Sequence, residues 1–160
     1  MPDRITIRPE RPDQPEVVAL LDALDRFLGD LYAPEANHIM DVASLLAPEV
    51  SFLVAREGPE IVGIGACRGM QGEPETDRRP YGEIKRMYVD AARRGEHIGA
   101  RLLRALEDRL RAEGYTQALL ETGRAQAQAV KLYERCGYTE RGTFGGYPDN
   151  GLSVFYGKRL

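Results

Sequence analysis

Residues 89–103 constrain the fold more than any other segment, because they have the pattern of a strand end, a basic glycine-containing loop and the first turn of a helix. The first backbone N–H groups of a helix have no acceptor inside it, and the helix dipole is positive there, so phosphate is a natural ligand. Arg93 and Arg94 add charge, and Gly95 and Gly99 let the backbone approach a ligand without an obstructing Cβ atom. The segment therefore predicts a pyrophosphate-binding loop; the alternative is an ordinary strand-to-helix turn.

The chain has 160 residues, of which 42% are hydrophobic and 29% are charged, which is typical of one globular domain, here residues 1–160. Its formal net charge of -3 argues against general affinity for nucleic acid, which requires a basic surface. The N-terminus lacks a signal-peptide pattern and no apolar stretch could span a bilayer, so we expect a cytoplasmic protein without a membrane partner. The two cysteines and two histidines lack zinc-ligand spacing, so no metal site is expected.

Hydrophobic periodicity divides the chain into ten elements. It predicts strands at residues 5–8, 51–56, 61–68, 82–89, 117–121 and 152–158, and helices at residues 16–31, 41–46, 98–113 and 125–136. The turn sequence at residues 57–60 joins the second and third strands as an antiparallel hairpin. Since helices follow the fourth and fifth strands, the predicted fold is α/β, with a single mixed β-sheet that is partly antiparallel, centrally parallel and flanked by helices.

A second motif, at residues 129–138, joins the loop in a resemblance to the GNAT superfamily of acyl-CoA-dependent N-acetyltransferases. The pyrophosphate signature of that family is Gln or Arg, two residues, Gly, one residue, and Gly or Ala. Arg94, His97 and Gly99 stand at these places. His97 departs from the pattern, which has Gly there, and His accepts a left-handed backbone less readily than Gly. Residues 129–138 are similar to the segment Ala-x-x-Leu-Tyr-x-x-x-Gly-Phe/Tyr of the family. The resemblance covers most of the chain and implies the acyl-CoA N-acyltransferase fold.

The resemblance implies acetyl-CoA as co-substrate and assigns its binding to the strand end and the loop. In relatives this strand splays from the next one, and its backbone binds the acetyl and pantetheine groups. Many relatives also have an Asn shortly before the last helix that contacts the pantetheine arm, and Gln126 lies near that place. The implied cofactor-binding residues are Met87, Val89, Arg93, Arg94, Gly95, Glu96, His97, Ile98, Gly99, Ala100 and Gln126.

Acetylation of an amine by a thioester places three chemical demands on a site. The amine attacks only when it is neutral, so a base or a water chain must remove a proton. The oxyanion needs a hydrogen-bond donor, and the thiolate leaves more readily when it is protonated. The resemblance implies that Tyr133 protonates the leaving thiolate, because a tyrosine at this position in relatives lies near the coenzyme A sulfur. The alternative is a core tyrosine on an apolar helix face.

Glu83 opens its strand and is the candidate base. In some relatives a glutamate at this position takes the proton of the amine, often through water, so the resemblance implies this role for Glu83. Period-2 alternation predicts that Glu83 shares one face of the strand with Lys85, Met87 and Val89. The alternative is a strand glutamate paired with Lys85 or Arg86.

Other residues are placed by analogy or by type. Tyr32, His38 and Tyr147 are candidates for the lining of the acceptor cleft by fold analogy alone. Residues 145–151 form either a plain hairpin loop or a wall of the acceptor site, in which Asp149 could attract a cationic amine.

His97 is interpreted as a loop residue beside phosphate rather than a base. Cys136 is interpreted as a small buried hydrophobe rather than a nucleophile. These interpretations favour direct attack of the amine on the thioester over a covalent enzyme intermediate.

We therefore expect an acetyl-CoA-dependent N-acetyltransferase that transfers the acetyl group directly to a primary amine of a small molecule or a peptide. The alternative is a non-catalytic acyl-CoA-binding sensor or partner module of the same fold. A P-loop or dinucleotide-binding protein is disfavoured, because no Lys-Ser/Thr pair and no second glycine pattern accompany the loop. Relatives are often dimers, so the resemblance admits a homodimer. Residues 28–46 and 69–81, which would select the acceptor, carry no motif.

Overall fold

The computed structural model describes residues 4–33 and 39–160, which form one seven-stranded sheet with helices on both faces. The strands are β1 (Ile5–Pro9), β2 (Val50–Glu57), β3 (Glu60–Met70), β4 (Tyr81–Val89), β5 (Gln117–Gly123), β6 (Thr139–Arg141) and β7 (Ser153–Arg159). The helices are α1 (Pro15–Leu31), α2 (Val42–Leu45), α3 (Ile98–Ala112) and α4 (Ala127–Arg135), and two short 3-10 turns lie at Pro74–Thr76 and Ala91–Arg93. No helix in these ranges has the length and hydropathy needed to cross a bilayer.

The strand order is β1-β2-β3-β4-β5-β7-β6, and the pair β4–β5 is parallel while the other neighbouring pairs are antiparallel. The predicted mixed sheet, its edge strand β1 and its β2–β3 hairpin are confirmed. Strand β6 was not predicted, because a run of three residues shows no usable periodicity. Strand β3 also extends to Met70, two residues beyond the predicted end of this strand at residue 68.

Helix α3 covers one face of the sheet with an apolar stripe that is completely buried. Leu102, Leu103, Leu106 and Leu110 are each 0% exposed and pack with residues of β2 to β5. Close approach depends on Gly82, since a Cβ atom there would overlap the Leu110 side chain. Helices α1 and α2 cover the opposite face with a second cluster of buried residues that includes Val17, Leu21, Leu45, Val54 and Ile64.

Strands β4 and β5 separate almost as soon as their pairing begins. Their register contains only two pairs, Gly82 with Ala118 and Glu83 with Leu119. Beyond these pairs the two parallel strands diverge toward the start of α3, which opens the middle of the sheet. The splay that the family resemblance implied is therefore present.

A β-bulge interrupts β4 and reverses the faces of the residues that follow it. Arg86 has a φ of +56°, and the register against β3 shifts at this point. An extra residue in one strand moves later side chains to the other face. Met87 and Val89 consequently pack in the α3 core, whereas Glu83 and Lys85 lie on the α1 side. The prediction that these four side chains share one face is wrong, because alternation does not continue through the bulge.

Candidate active site

A cleft with a cavity of about 100 Å³ lies where β4 and β5 separate. Both diverging strands, the start of α4 and the C-terminal half of α1 contribute to its walls. Its lining residues are Leu24, Leu28, Tyr32, Ile39, Ile84, Lys85, Arg86, Met87, Glu121, Thr122, Gly123, Gln126, Tyr133, Leu152 and Ser153. The cleft therefore brings together Tyr133, Gln126 and Met87, three residues that the sequence analysis selected from separate segments.

The loop that enters α3 keeps its backbone donors available. None of the backbone N–H groups of residues 94–100 donates to another group in the described part of the chain. The hydrogen bonding of α3 begins with Arg101, whose N–H donates to the His97 carbonyl at 3.1 Å. Residues 94–97 are exposed, while Ile98 is buried and anchors the start of α3 in the core. Such a run of unpaired donors at a helix start suits a phosphate group.

The two arginines of the loop are in different environments. Arg93 forms ion pairs with Glu57 and Glu96, and the hydrogen bonds that it donates to the Glu96 and Glu57 carboxylates raise its pKa. Its charge is therefore shared with two carboxylates. The Arg94 guanidinium lies 5.3 Å from the Tyr88 ring centroid, and its Nε donates to a β4 carbonyl at 3.3 Å. Arg94 is exposed and thus carries the more accessible charge of the two.

His97 adopts the left-handed backbone that the family signature usually obtains from glycine. Its φ is 63° and its ψ is 19°, and it forms the N-cap of α3. Gly95 is also left-handed, with a φ of +90° and open space around its Cβ position. Gly99 has a packing role instead, because a Cβ atom there would lie 3.1 Å from Leu132. The departure at His97 therefore leaves the backbone path of the loop intact.

Tyr133 lies on α4 with its ring mostly buried and lines the cleft. Its ring packs edge-on against Tyr138, with centroids 5.9 Å apart. Burial raises the pKa of Tyr133, with smaller contributions from nearby acidic groups, so the hydroxyl stays protonated at neutral pH. Gln126 precedes α4 and lines the cleft, and its backbone N–H donates to the Gly123 carbonyl at 3.0 Å.

Glu83 is enclosed by hydrogen bonds on the α1 side of the sheet. It is 1% exposed, and its Oε1 accepts from Arg68 Nε at 2.9 Å and lies 2.8 Å from Arg68 Nη2. Its Oε2 accepts from the Tyr147 hydroxyl at 2.6 Å, and that hydroxyl accepts from Lys85 Nζ at 2.8 Å. Glu83 does not line the cleft, whereas Lys85 does. The hydrogen bonds through the Tyr147 hydroxyl connect the two residues.

The structure adds a carboxylate that sequence reasoning missed. Glu121 lines the cleft and accepts a hydrogen bond from Ser153 Oγ at 2.6 Å. Arg86 at the bulge also lines the cleft, with Nη1 2.6 Å from Asp25 Oδ1 on α1. None of these residues belongs to a motif, and only the pairing of β5 with β7 and the bulge in β4 direct them into the cleft.

Two of the three aromatic residues assigned to the acceptor cleft lie in the described part of the chain. Tyr32 lines the cleft, and its hydroxyl accepts a hydrogen bond from the backbone N–H of Ala125 at 3.1 Å. Tyr147 lines a neighbouring cavity, so its segment does form a wall on this side of the sheet. His38 lies outside the described residues. Asp149, the predicted site for a cationic amine, is exposed and lines neither of the two cavities among the residues that the structure describes.

No group of three or more His, Cys, Asp and Glu side chains that could hold a metal ion occurs in residues 4–33 and 39–160.

Comparison with known proteins agrees with this arrangement of loop, splayed strands and cleft. A family model described as the acetyltransferase (GNAT) family matches residues 17–138. An IAA acetyltransferase from Azospirillum brasilense is 46% identical over 156 residues, covering 98% of each chain.

Two solved structures extend the comparison to the fold. A protein from Klebsiella pneumoniae described as an acyl-CoA N-acyltransferase superposes with a TM-score of 0.79 and 36% identity, covering 98% of this chain and 97% of its own. A GNAT family acetyltransferase from Elizabethkingia anophelis, solved with acetyl-CoA bound, superposes with a TM-score of 0.66 and 19% identity, covering 99% of both chains. As its two motifs predicted, this chain belongs to the GNAT family and is an acetyl-CoA-dependent N-acetyltransferase.

Proposed function

We propose that this enzyme transfers the acetyl group of acetyl-CoA to a primary amine by direct attack in the cleft between β4 and β5. The observation that carries the proposal is the run of unpaired backbone N–H groups at residues 94–100, four of them on exposed residues, which follows the end of β4 where this strand is no longer paired with β5. Seven donors on one loop can hold a pyrophosphate without any side chain. A ligand anchored there would extend along β4 toward the cleft that Met87 and Tyr133 line.

The proposed position of coenzyme A follows from these surfaces. Its pyrophosphate lies on the backbone of residues 94–100, with Arg94 as the accessible cation. The pantetheine arm runs between the diverging strands, where the backbone of Met87 and Val89 and the side chain of Gln126 are its neighbours. Met87 and Gln126 line the cleft, and Val89 packs beside Gly99 at the start of α3, which supports this path.

The amine must lose a proton before or during attack, and two carboxylates could accept it. Glu121 lines the cleft and can do so directly. Glu83 can do so only through the Tyr147 hydroxyl, because its own oxygens are occupied by Arg68 and Tyr147. Direct access to the cleft favours Glu121 as the base. The pH profiles of kcat for Glu121→Gln and Glu83→Gln distinguish the two routes.

Tyr133 is the proposed acid for the leaving thiolate. The amine nitrogen forms a bond to the carbonyl carbon, the carbon–sulfur bond breaks, and the proton of the Tyr133 hydroxyl is shared with the sulfur. The raised pKa of this tyrosine keeps the proton on the hydroxyl until the thiolate forms. Holding amine and thioester in one cleft supplies much of the remaining rate.

A covalent acetyl-cysteine intermediate is not part of the proposal. Burial raises the pKa of the Cys136 thiol and raises that of Cys67 to about 12, so both thiols are protonated and weakly nucleophilic at neutral pH. Mass spectrometry during turnover is expected to show unmodified enzyme. An acetylated cysteine that forms and decays at the rate of turnover would contradict direct attack.

The narrow cleft supports a small-molecule amine rather than a peptide as acceptor. Tyr32 joins α1 to the turn before α4 across the cleft, whereas an extended peptide requires a channel that is open at both ends. We further propose that residues 1–160 act as one domain in the cytoplasm.

Calorimetry and thiol release together test the function. CoA is expected to bind at least 10-fold more tightly than pantetheine, which has the same thiol arm but lacks the pyrophosphate. Acetyl-CoA with a panel of primary amines is expected to release free CoA thiol. Absence of heat with CoA would overturn the site. Tight CoA binding with no turnover of any amine would support the alternative, a non-catalytic sensor.

A further inference from the structure

A second cavity of about 410 Å³, named here the side cavity, adjoins the cleft on the α1–α2 side of the sheet. The two spaces share Ile39 and Lys85 as lining residues. The other described residues of the side cavity are Met40, Ser44, Arg68, Gly145 and Tyr147. Two of these seven residues are cationic and none of the seven is acidic. A volume of this size suits a small organic molecule.

Arg68 is held in place from behind. Its Nε and Nη2 both contact Glu83 Oε1, at 2.9 and 2.8 Å, and Glu83 is itself buried. Its Nη1 donates to no other group in the described part of the chain, and the side chain is 29% exposed. A guanidinium fixed in this way offers its remaining N–H groups to an anion with little loss of conformational entropy on binding.

Lys85 stands where the cleft and the side cavity meet. Its Nζ donates to the Tyr147 hydroxyl at 2.8 Å and lies 5.3 Å from the centre of that ring. Burial lowers the pKa of Lys85, so an anion bound beside it would favour the charged ammonium. Ser44 adds a hydroxyl donor, and Met40 and Ile39 give the cavity an apolar wall.

We propose that the acceptor is a free α-amino acid with an apolar side chain, whose carboxylate binds in the side cavity between Arg68 and Lys85. This inference rests on the proposed function and names its substrate class. The α-amine, one carbon away from the carboxylate, extends past Lys85 into the cleft toward Glu121, and the apolar side chain contacts Ile39 and Met40. The nitrogen forms an amide bond to the acetyl carbon and loses a proton. The carbon–sulfur bond breaks, and N-acetyl amino acid and protonated CoA thiol are released.

The test compares acceptors that differ only in the carboxylate. We expect kcat/KM for L-phenylalanine and L-leucine to exceed that for 2-phenylethylamine and 3-methylbutylamine by at least 10-fold, as measured by thiol release. Calorimetry of the CoA complex gives a second readout that does not need turnover, and there the amino acids bind more tightly than the decarboxylated amines. Equal or better acetylation of the decarboxylated amines would overturn the inference while the proposed function stands.

Variants then locate the carboxylate. Lys85→Gln and Arg68→Lys are expected to raise the KM for L-phenylalanine about 10-fold and to remove most of its kcat/KM advantage over 2-phenylethylamine, because only the amino acid has the carboxylate that these side chains bind. Lys131→Gln, an exposed lysine on α4, is the matched charge control and keeps wild-type constants.

If no amine is acetylated but amino acids still bind and Lys85→Gln weakens that binding, the function fails and the anion site stands. If neither variant affects amino-acid binding, the inference is wrong.

Discussion

The backbone N–H of Ala125 donates to the hydroxyl of Tyr32 at 3.1 Å, which ties the end of α1 to the turn between β5 and α4. Gly123 makes the contact possible, because a Cβ atom there would overlap the Tyr32 hydroxyl. A glycine in β5 and a tyrosine about 90 residues earlier in the chain thus determine together how one end of the cleft is covered.

Gly123→Ala is expected to displace Tyr32 from the cleft. The Tyr32 side chain must rotate away from the added methyl group, so we expect the loss of its hydrogen bond to Ala125, about 0.5–1.5 kcal/mol in unfolding free energy, and a raised KM for the amine. Tyr32→Phe is the control, because it keeps the ring and loses one hydrogen bond of about 0.5–1.5 kcal/mol. Urea unfolding measures both variants. A Gly123→Ala protein as stable as the wild type would show that Tyr32 does not occupy this position.

Glu121→Gln and Glu83→Gln are expected to fail in different ways. Loss of a directly acting base lowers kcat by about 10²–10⁴, so Glu121→Gln keeps its stability and loses turnover. Glu83→Gln removes the carboxylate that pairs with the partly exposed Arg68 and accepts from Tyr147, for which we expect a cost of about 1–3 kcal/mol in unfolding free energy. Unfolding curves and pH profiles of kcat separate these outcomes. A Glu83→Gln enzyme that loses kcat while Glu121→Gln retains it would identify Glu83 as the base.

Tyr133→Phe is expected to lower kcat about 100-fold while CoA affinity changes little, because the hydroxyl acts on the leaving sulfur. Its neighbour Tyr138 is the matched control. The Tyr138 hydroxyl donates to buried Glu107 at 2.9 Å, so Tyr138→Phe should lower stability by about 1–3 kcal/mol and spare kcat. Steady-state kinetics and CoA calorimetry on both variants check this. A Tyr133→Phe enzyme with the kcat of the wild type would show that the Tyr133 hydroxyl takes no part in the reaction.

His97→Gly is expected to bind CoA as tightly as the wild type, since glycine adopts a φ of 63° without steric cost. Its unfolding free energy should fall by at most a few tenths of a kcal/mol. His97→Val should be destabilised by about 1–2 kcal/mol and should bind CoA more weakly, because a β-branched residue strains this backbone. Thermal unfolding and CoA calorimetry give the comparison. Indistinguishable Gly and Val variants would mean that the loop does not need the left-handed turn.

Alkaline stability should depend on Tyr81. Its side chain is fully buried, and burial together with the nearby carboxylates of Glu73 and Glu83 raises its pKa to about 12. The unfolded phenol ionises near pH 10, so the associated stabilisation is fully present below pH 10 and is lost as the pH rises toward 12. We expect the urea midpoint to fall less steeply over this window in Tyr81→Phe. A slope equal to that of the wild type would contradict the assignment.

The sequence alone determined the parts of this protein that depend on local pattern. Three elements are encoded by residues that lie close together in the chain: the apolar stripe of α3, the hairpin of β2 and β3, and the loop at residues 94–100. Helix-start geometry leaves the N–H groups at the start of α3 unpaired in the same way, because an N–H without an intrahelical acceptor results from its place in the helix.

Only the tertiary structure decided which carboxylate and which cations line the cleft and the side cavity. The bulge at Arg86 results from pairing with β3, and it moved Met87 and Val89 off the face that alternation assigned to them. Glu83 became enclosed because Arg68 and Tyr147 converge on it, from 15 and 64 residues away in the chain. Glu121 entered the cleft because β5 pairs with β7. Contacts between distant segments depend on sheet register, and no local periodicity encodes that register.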